Sequence, residues 1–128
     1  MGESQLFLGK AAESLASADA DFAAGRFNSC ANRAYYAGFQ AAIACLIHSG
    51  VISGDQSWSH RFVISEVSGT LIRRRKLLPT RFRGTLDVLL RNRLVADYQT
   101  GSVNRKAART GLQDSKSFVN SVREVLEG

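Results

Sequence analysis

A guanidinium and a phenol stand seven residues apart in the segment that reads Arg-Asn-Arg-Leu-Val-Ala-Asp-Tyr. Arg91 and Tyr98 would leave nearly the same face of a helix, because seven residues are close to two turns. A guanidinium can hold a phosphate through two hydrogen bonds, and a tyrosine ring can stack on a nucleobase. The segment holds no side chain that ordinarily accepts a proton near neutral pH. The spacing therefore predicts contact with a nucleotide or RNA rather than catalysis.

Structural roles compete with binding for these residues. Arg91 follows Asp87 by four residues, and Arg93 precedes Asp97 by four, so each arginine can form an ion pair along the helix. A surface pair of this kind is worth only about 0.3–0.5 kcal/mol. Both interpretations stay open for Arg91, whereas ion pairing is the better interpretation for Arg93. For Tyr98, closing the end of a helical bundle is slightly favoured over stacking on a base.

The chain has two histidines, His48 and His60, and histidine is the side chain that ordinarily titrates near pH 7. His48 follows a predicted helix end, where capping is a better interpretation than catalysis. His60 could reach a cleft between the third and fourth helices and is the weak catalytic candidate. Arg33 beside Tyr35 and Tyr36 also suggests binding, although a tyrosine pair on a core helix more often packs, with the arginine reaching the rim.

The net charge of +6 is unevenly distributed along the chain. Residues 61–109 contain twelve basic and three acidic side chains, a net charge of +9, whereas the remainder carries −3. Concentrated positive charge favours a phosphate-rich partner, with a merely solvated surface as the alternative. The twelve basic residues are Arg61, Arg73, Arg74, Arg75, Lys76, Arg81, Arg83, Arg91, Arg93, Arg105, Lys106 and Arg109.

Composition bounds the class of protein. At 128 residues with 45% hydrophobic content, the chain predicts a single domain, residues 1–128, with one core. No apolar run reaches the length of a membrane span, and the acidic, polar start does not resemble a secretory signal, so a cytoplasmic protein is expected. Cys30 and Cys45 would lie roughly 22 Å apart on one helix, too far for a disulfide. Neither belongs to a metal-binding pattern, and we expect no metal or cofactor.

Hydrophobic periodicity predicts five helices and no strands. Short connections between them favour an antiparallel four-to-five-helix bundle. The second helix should be unusually small on part of its surface, so that a neighbour can approach closely. The predicted helices run from about Ser4 to Ala24, from Ser29 to His48 after a cap at Asn28, from Ser57 or Ser59 to Arg73, from a cap at Thr80 to about Asp97, and from beyond Gly101-Ser102 to Leu126.

Two segments carry a resemblance to a known family. The first is Arg-Phe-Asn-Ser-Cys-Ala-Asn-Arg-Ala-Tyr-Tyr-Ala-Gly-Phe-Gln-Ala-Ala, residues 26–42, and the second runs from Arg91 to the Ala-Asp-Tyr that ends at Tyr98. With His60 near the start of the third helix, they resemble the HEPN family of small helical-bundle proteins, in the branch whose motif ends in Ala-Asp-Tyr. The resemblance covers nearly the whole chain in length and order of elements, and Arg-Ala-Tyr-Tyr-Ala is its more specific part.

The resemblance implies RNA binding or ribonuclease activity, often in a homodimer with a cleft between protomers. Active members carry Arg-x4-6-His, in many cases followed two residues later by Tyr. Carried over, the arginine is Arg91, its polar neighbour is Asn92 and the tyrosine is Tyr98, but Ala96 stands at the histidine position. A register that starts at Arg93 places Tyr98 at that position instead, and the sequence contains no Arg-x4-6-His. The resemblance therefore implies a degenerate ribonuclease motif.

We expect an RNA- or nucleotide-binding HEPN-like homodimer. The expected site residues are Arg91, Asn92, Arg93, Tyr98 and Arg33. One alternative is an active metal-independent ribonuclease toxin that uses His60 in place of the missing histidine. Another is a protein-interaction module without nucleic-acid binding, in which the small-residue helix from Ala31 to Cys45 serves dimerisation. The resemblance also suggests a toxin–antitoxin or defence system, with an antitoxin or a nucleotidyltransferase-like protein as partner.

Overall fold

Every regular element in the structure is helical. A computed structural model of the chain describes residues 2–128, and within that range it contains no β-strand, which confirms the all-α prediction. None of the described helices is long and apolar enough to cross a membrane. The elements are α1 (Glu3–Ala23), α2 (Phe27–His48), α3 (His60–Glu66), a π-helix that continues α3 (Val67–Arg74), a 3₁₀ turn (Thr80–Phe82), α4 (Thr85–Tyr98) and α5 (Arg105–Glu127).

Four of the helices form the bundle, and α2 lies at its centre. α2 packs against α1, α4 and α5, and α3 packs on its remaining face. Consecutive members of the bundle run antiparallel, whereas α2 and α5 run parallel. Ser115 Oγ of α5 donates to the Ala34 carbonyl of α2 over 2.8 Å, and this buried bond fixes their relative height.

The small residues of α2 allow close packing, as the sequence predicts. Gly38 is buried opposite α4, and a methyl group added there would lie 3.0 Å from Leu86 Cδ2 and 3.2 Å from Leu89 Cδ1. Those distances are shorter than ordinary carbon–carbon contact, near 3.5–4.0 Å. The backbone of α2 and two leucines of α4 therefore meet with no room for a side chain.

Both cysteines are buried free thiols of α2. Burial raises the pKa of Cys30 and of Cys45 to about 11. Each therefore stays protonated at neutral pH and serves as a small core residue. The prediction that they form no disulfide with each other is confirmed.

The start of α2 differs from the prediction. Asn28 lies inside the first turn rather than at the cap position, which Arg26 occupies without a side-chain bond. The Asn28 amide oxygen instead accepts from the backbone N–H of Val103, over 2.9 Å. The turn before α2 is held by Asp21, which accepts from Arg26 Nε and from Ser29 Oγ. Asn28 thus ties α2 to the distant connection before α5 rather than to its own helix.

The third and fourth helices also differ from the prediction. α3 begins at His60, capped by Ser59, but its second half winds as a π-helix, a rare form that often marks functional positions. Thr80 does not cap α4, because residues 80–82 form a separate 3₁₀ turn. Phe82 enters the core there, with its ring 5.4 Å from that of Phe118. This anchor ends the turn, and α4 starts only after Gly84.

Gly38→Val should lower the free energy of unfolding by about 1–3 kcal/mol, because the added methyl groups force α2 and α4 apart. Urea titration followed by circular dichroism measures this change. Gly9→Val is the matched control, since nothing lies within 4 Å of a side chain added at that helical position, and its effect should stay within about 0.5 kcal/mol. Equal effects of the two substitutions would contradict close packing at Gly38.

Candidate nucleic-acid interface

α4 turns its predicted site residues toward different faces. Arg91 is exposed, and within residues 2–128 no carboxylate lies at ion-pair distance from it, so the pair with Asp87 that the spacing allows does not form. Asn92 is half-buried and lines a groove between α4 and α5, beside Lys106. Tyr98, in the last turn, is 71% exposed. The guanidinium of Arg91 is therefore available to an anion.

Arg93 points into the seam between α4 and α2. Its side chain is only 15% exposed, and its Nε lies 3.2 Å from Asp97 Oδ2, which confirms the predicted ion pair. Its guanidinium carbon lies 5.1 Å from the ring centroid of Tyr36, 5.6 Å from that of Tyr98 and 5.8 Å from that of Tyr35. Aromatic faces attract a cation, most strongly where water is excluded. Arg93 is thus held by the protein itself.

A polar chain links this seam to Arg33 on α2. Asp97 Oδ2 accepts from Arg93 Nε and, over 2.8 Å, from Asn32 Nδ2. Asn32 Oδ1 in turn accepts from Nε and Nη2 of Arg33, over 2.9 Å and 2.6 Å. The Arg33 guanidinium also lies over the Tyr36 ring, 5.2 Å from its centroid. One carboxylate therefore orders two arginines, and the network keeps a net positive charge.

His60 begins α3 and packs on the aromatic face of α2. Its ring stacks on Phe39 with centroids 4.4 Å apart and an interplanar angle of 19°. Its Nδ1 lies 2.5 Å from the hydroxyl oxygen of Tyr35. The Ser59 cap, which accepts from the Phe62 N–H, fixes the first turn of α3 and hence the position of the imidazole.

The proton between Tyr35 and His60 belongs to the tyrosine. Tyr35 is fully buried, and burial raises the pKa of its hydroxyl, so the group stays protonated. Among the described residues its hydroxyl contacts no acceptor other than His60 Nδ1. A buried hydroxyl without an acceptor would cost about 1–3 kcal/mol. The hydroxyl therefore donates to Nδ1, and a neutral imidazole carries its own hydrogen on Nε2.

Two effects keep His60 neutral. Burial strips water from the imidazolium, and the nearby positive charge of Arg93 opposes a second one, so the pKa of His60 falls below its usual value near 6.5. With Nδ1 occupied by Tyr35, the ring offers one N–H donor and no free acceptor. That state suits a hydrogen bond to a phosphate oxygen better than general base catalysis, which needs an open acceptor nitrogen.

His60 opens onto a groove between α3 and α4, the position that its place in the sequence predicts. The groove has a volume of about 400 Å³. Arg61, Ser65 and the carboxylate of Asp87 line it together with two apolar side chains, Ile64 and Leu90. Its walls can therefore contact both the charged and the apolar parts of a ligand.

The predicted site residues separate into two groups. Arg93, Tyr98 and Arg33 belong to one hydrogen-bonded and cation–π network at the seam between α2 and α4, whereas Arg91 and Asn92 lie outside it. Asn32 and Asp97 complete the network but were not predicted as site residues. Asn32 directly precedes Arg33 in the Asn-Arg-Ala-Tyr-Tyr string, and that position is the signal which could have identified it.

Arg93→Gln should raise the pKa of His60 toward 6.5, because it removes the positive charge that opposes the imidazolium. Proton NMR titration of the histidine ring measures this pKa, and His48→Gln assigns the resonance because the chain has two histidines. Arg91→Gln removes the same charge from the exposed side of α4 and should shift the pKa less. Equal shifts in both variants would contradict a specific effect of Arg93.

A comparison with protein families places the chain. The family model described as HEPN domain matches residues 4–126, nearly the whole chain. No curated protein matches the chain significantly. The matched span includes the Arg-Ala-Tyr-Tyr-Ala string of α2, the whole of α4 and the groove that His60 lines. Together with the all-helical bundle, this match shows that the chain belongs to the HEPN family.

Proposed function

We propose that this HEPN protein binds RNA through the positively charged surface around α4. The observation that carries the proposal is the exposure of that charge. Of the twelve basic residues between positions 61 and 109, eleven are exposed, and Arg93 is the exception. Arg91 lies among them without an acidic partner in the described residues. Phosphates supply the compensating charge, and release of their counterions supplies much of the affinity.

Single-stranded RNA fits this surface better than a duplex does. Tyr98 offers an exposed ring at the end of α4, and an unpaired base can stack on such a ring. Its hydroxyl lies 3.3 Å from Arg93 Nη2, so the ring is oriented before a ligand arrives. Bases of a duplex are already stacked on one another and would leave the ring unused. We therefore assign phosphate contact to Arg91 and stacking to Tyr98.

Binding is better supported than cleavage. Ala96 occupies the position of the family's histidine, and His60, the remaining candidate, has its Nδ1 engaged by Tyr35. Cleavage through the 2′-hydroxyl needs a group that accepts a proton, and the neutral His60 presents an N–H instead. His60 then serves as a hydrogen-bond donor at the groove. The protein could have this RNA-binding role as one component of a toxin–antitoxin system.

We also propose that the protein forms a homodimer through α4. The apolar side chain of Leu94 is exposed on α4, three residues after Arg91 and therefore near it on the helix surface. Burying Leu94 against a second copy of the chain would remove apolar surface from water. Pairing of two α4 helices would place both copies of Arg91 beside one seam and double the positive charge that an RNA strand meets.

Arg91→Ala should weaken binding of a fluorescent 20-nucleotide oligouridylate roughly fivefold, since one charge-assisted phosphate contact of about 1 kcal/mol is lost. The slope of log K against log salt should fall by about 0.7, the value for one phosphate contact on a single strand. Fluorescence anisotropy at several salt concentrations measures both quantities. Arg123→Ala, an equal charge loss on α5 beyond the basic segment, is the control and should change little.

Two outcomes would contradict the RNA proposal. The first is equal binding and an equal salt slope for wild type and Arg91→Ala. The second is cleavage of the oligonucleotide that is lost in His60→Ala, because that result would restore the ribonuclease alternative. Absence of RNA binding together with a tight complex with another protein would instead favour the interaction module.

Leu94→Asp should convert the dimer to a monomer, because a carboxylate would be buried without a partner at the pairing surface. Sedimentation velocity measures the mass of the species in solution. Leu6→Asp is the matched control, since Leu6 is 55% exposed on α1 whereas Leu94 is 37% exposed on α4. A monomeric wild type, or dissociation caused equally by both substitutions, would show that α4 is not the interface.

A further inference from the structure

A second positively charged feature lies at the opposite end of the α3 and π-helix segment from His60. A groove of about 580 Å³ opens where the π-helix ends and the chain turns toward α4. Three cations, Arg73, Lys76 and Arg83, line it together with an apolar floor that includes Leu77 and Leu78. The groove therefore offers positive charge at its rim and apolar contact at its base.

Neighbouring cations donate hydrogen bonds to the protein, whereas the three cations of the groove do not. Arg74 donates to Thr70 Oγ1, Arg75 to the Ser49 carbonyl, and Arg81 to Ser117 Oγ. By contrast, no acceptor in residues 2–128 takes a hydrogen bond from the three cations of the groove. Like charges around one groove repel each other unless an anion lies between them. The run of basic residues thus divides into a structural set and a set that faces the groove.

The backbone is built to hold this arrangement. Lys76 has φ +54°, in the left-handed region that a side chain rarely adopts. Two consecutive N–H groups, of Leu77 and Leu78, hold the turn by donating to the carbonyl of Leu71, over 2.8 Å and 3.3 Å. The buried side chain of Leu78 anchors the chain at the point where it leaves this turn. The turn is therefore fixed rather than free, and Lys76 stays beside the groove.

The groove continues toward His60. A neighbouring depression of about 260 Å³ shares Arg73 and Arg83 with it and adds Ser65, Ser68 and Gly69. Ser65 also lines the groove at His60. The three depressions thus form one path along α3 and the π-helix, roughly 20 Å long at 1.5 Å per residue. Such a path is longer than a mononucleotide and matches an extended strand.

We propose that this path binds the phosphate backbone of single-stranded RNA, with Arg73, Lys76 and Arg83 holding successive phosphates. The serine hydroxyls can donate to phosphate oxygens along the way, and the leucine floor can contact sugar and base faces. The inference rests on the proposed RNA binding and extends it from α4 to a defined track. Asp87, near the His60 end, places the strongest attraction for phosphate at the Lys76 end.

The test compares two triple variants that lose the same charge. Arg73→Gln with Lys76→Gln and Arg83→Gln removes the groove set. Lys10→Gln with Lys116→Gln and Arg123→Gln removes three cations that lie outside the basic segment 61–109. The groove variant should bind the 20-nucleotide oligouridylate roughly 30- to 100-fold more weakly, with a salt slope lower by about 2 for three lost phosphate contacts. The control variant should change each quantity much less.

Thermal unfolding followed by circular dichroism shows whether both triple variants are folded. If the groove variant is not folded, the single variants Arg73→Gln and Arg83→Gln replace it, and each should lose a smaller part of the RNA affinity. Photocrosslinking of wild type to 4-thiouridine RNA gives a second measurement, with crosslinks expected within residues 61–83. If wild type binds RNA, and Arg91→Ala weakens that binding whereas the groove variant does not, the track is wrong and the proposed function still stands. Equal losses in both triple variants would also overturn the track, and absence of binding by wild type would overturn both proposals.

Discussion

The contact between Gly38 and two leucines of α4 sets the geometry on which the rest of the site depends. Because position 38 has no side chain, Leu86 and Leu89 press against the backbone of α2 at 3.0–3.2 Å from where a Cβ would lie. The depth of α4 is thereby fixed. One turn beyond Leu89, Arg93 comes within reach of the tyrosines of α2 and is enclosed by them. A packing constraint thus decides which arginine is buried and which is exposed.

Burial of Arg93 has consequences beyond its own stability. A cation removed from water needs compensation, and three aromatic rings with one carboxylate supply it. Burial of the imidazole, together with this retained positive charge, lowers the pKa of His60 and keeps it neutral. In a wet cleft, an arginine could hold a phosphate while a histidine with an open nitrogen passes a proton to and from a substrate. Here the arginine is enclosed and the histidine accepts from Tyr35, so the same residue types favour binding.

The helices and their faces followed from the sequence because local periodicity determines them. Apolar spacing placed all five helices, and the four-residue spacing of Arg93 and Asp97 gave their ion pair. The same four-residue spacing of Asp87 and Arg91 did not give an ion pair, because such a pair is worth too little to hold two exposed side chains together. Spacing therefore states which contacts are available, and the surroundings decide which ones form.

Two errors, at Asn28 and at Thr80, arose where a distant contact overrode a local preference. Asn28 resembles a helix cap, but its amide oxygen accepts a hydrogen bond from the backbone N–H of Val103, seventy-five residues away. Thr80 resembles another cap, but the burial of Phe82 against Phe118 ends that turn early. The π-helix has no sequence signature of its own. The outcomes at Asn28 and Thr80 depend on how elements far apart in the chain meet, and no local pattern contains that information.

The charge of this domain is best understood by what each cation contacts. Arginines that hydrogen-bond to the protein, such as Arg74 and Arg75, contribute to structure and could be replaced in kind by neutral donors. Cations without an acceptor raise the repulsion within the folded chain and do nothing for its packing. Arg91 on α4 and the three cations at the groove beside α3, Arg73, Lys76 and Arg83, therefore carry this cost in the isolated protein. An anion with many regularly spaced charges, such as the RNA strand proposed above, would offset that cost.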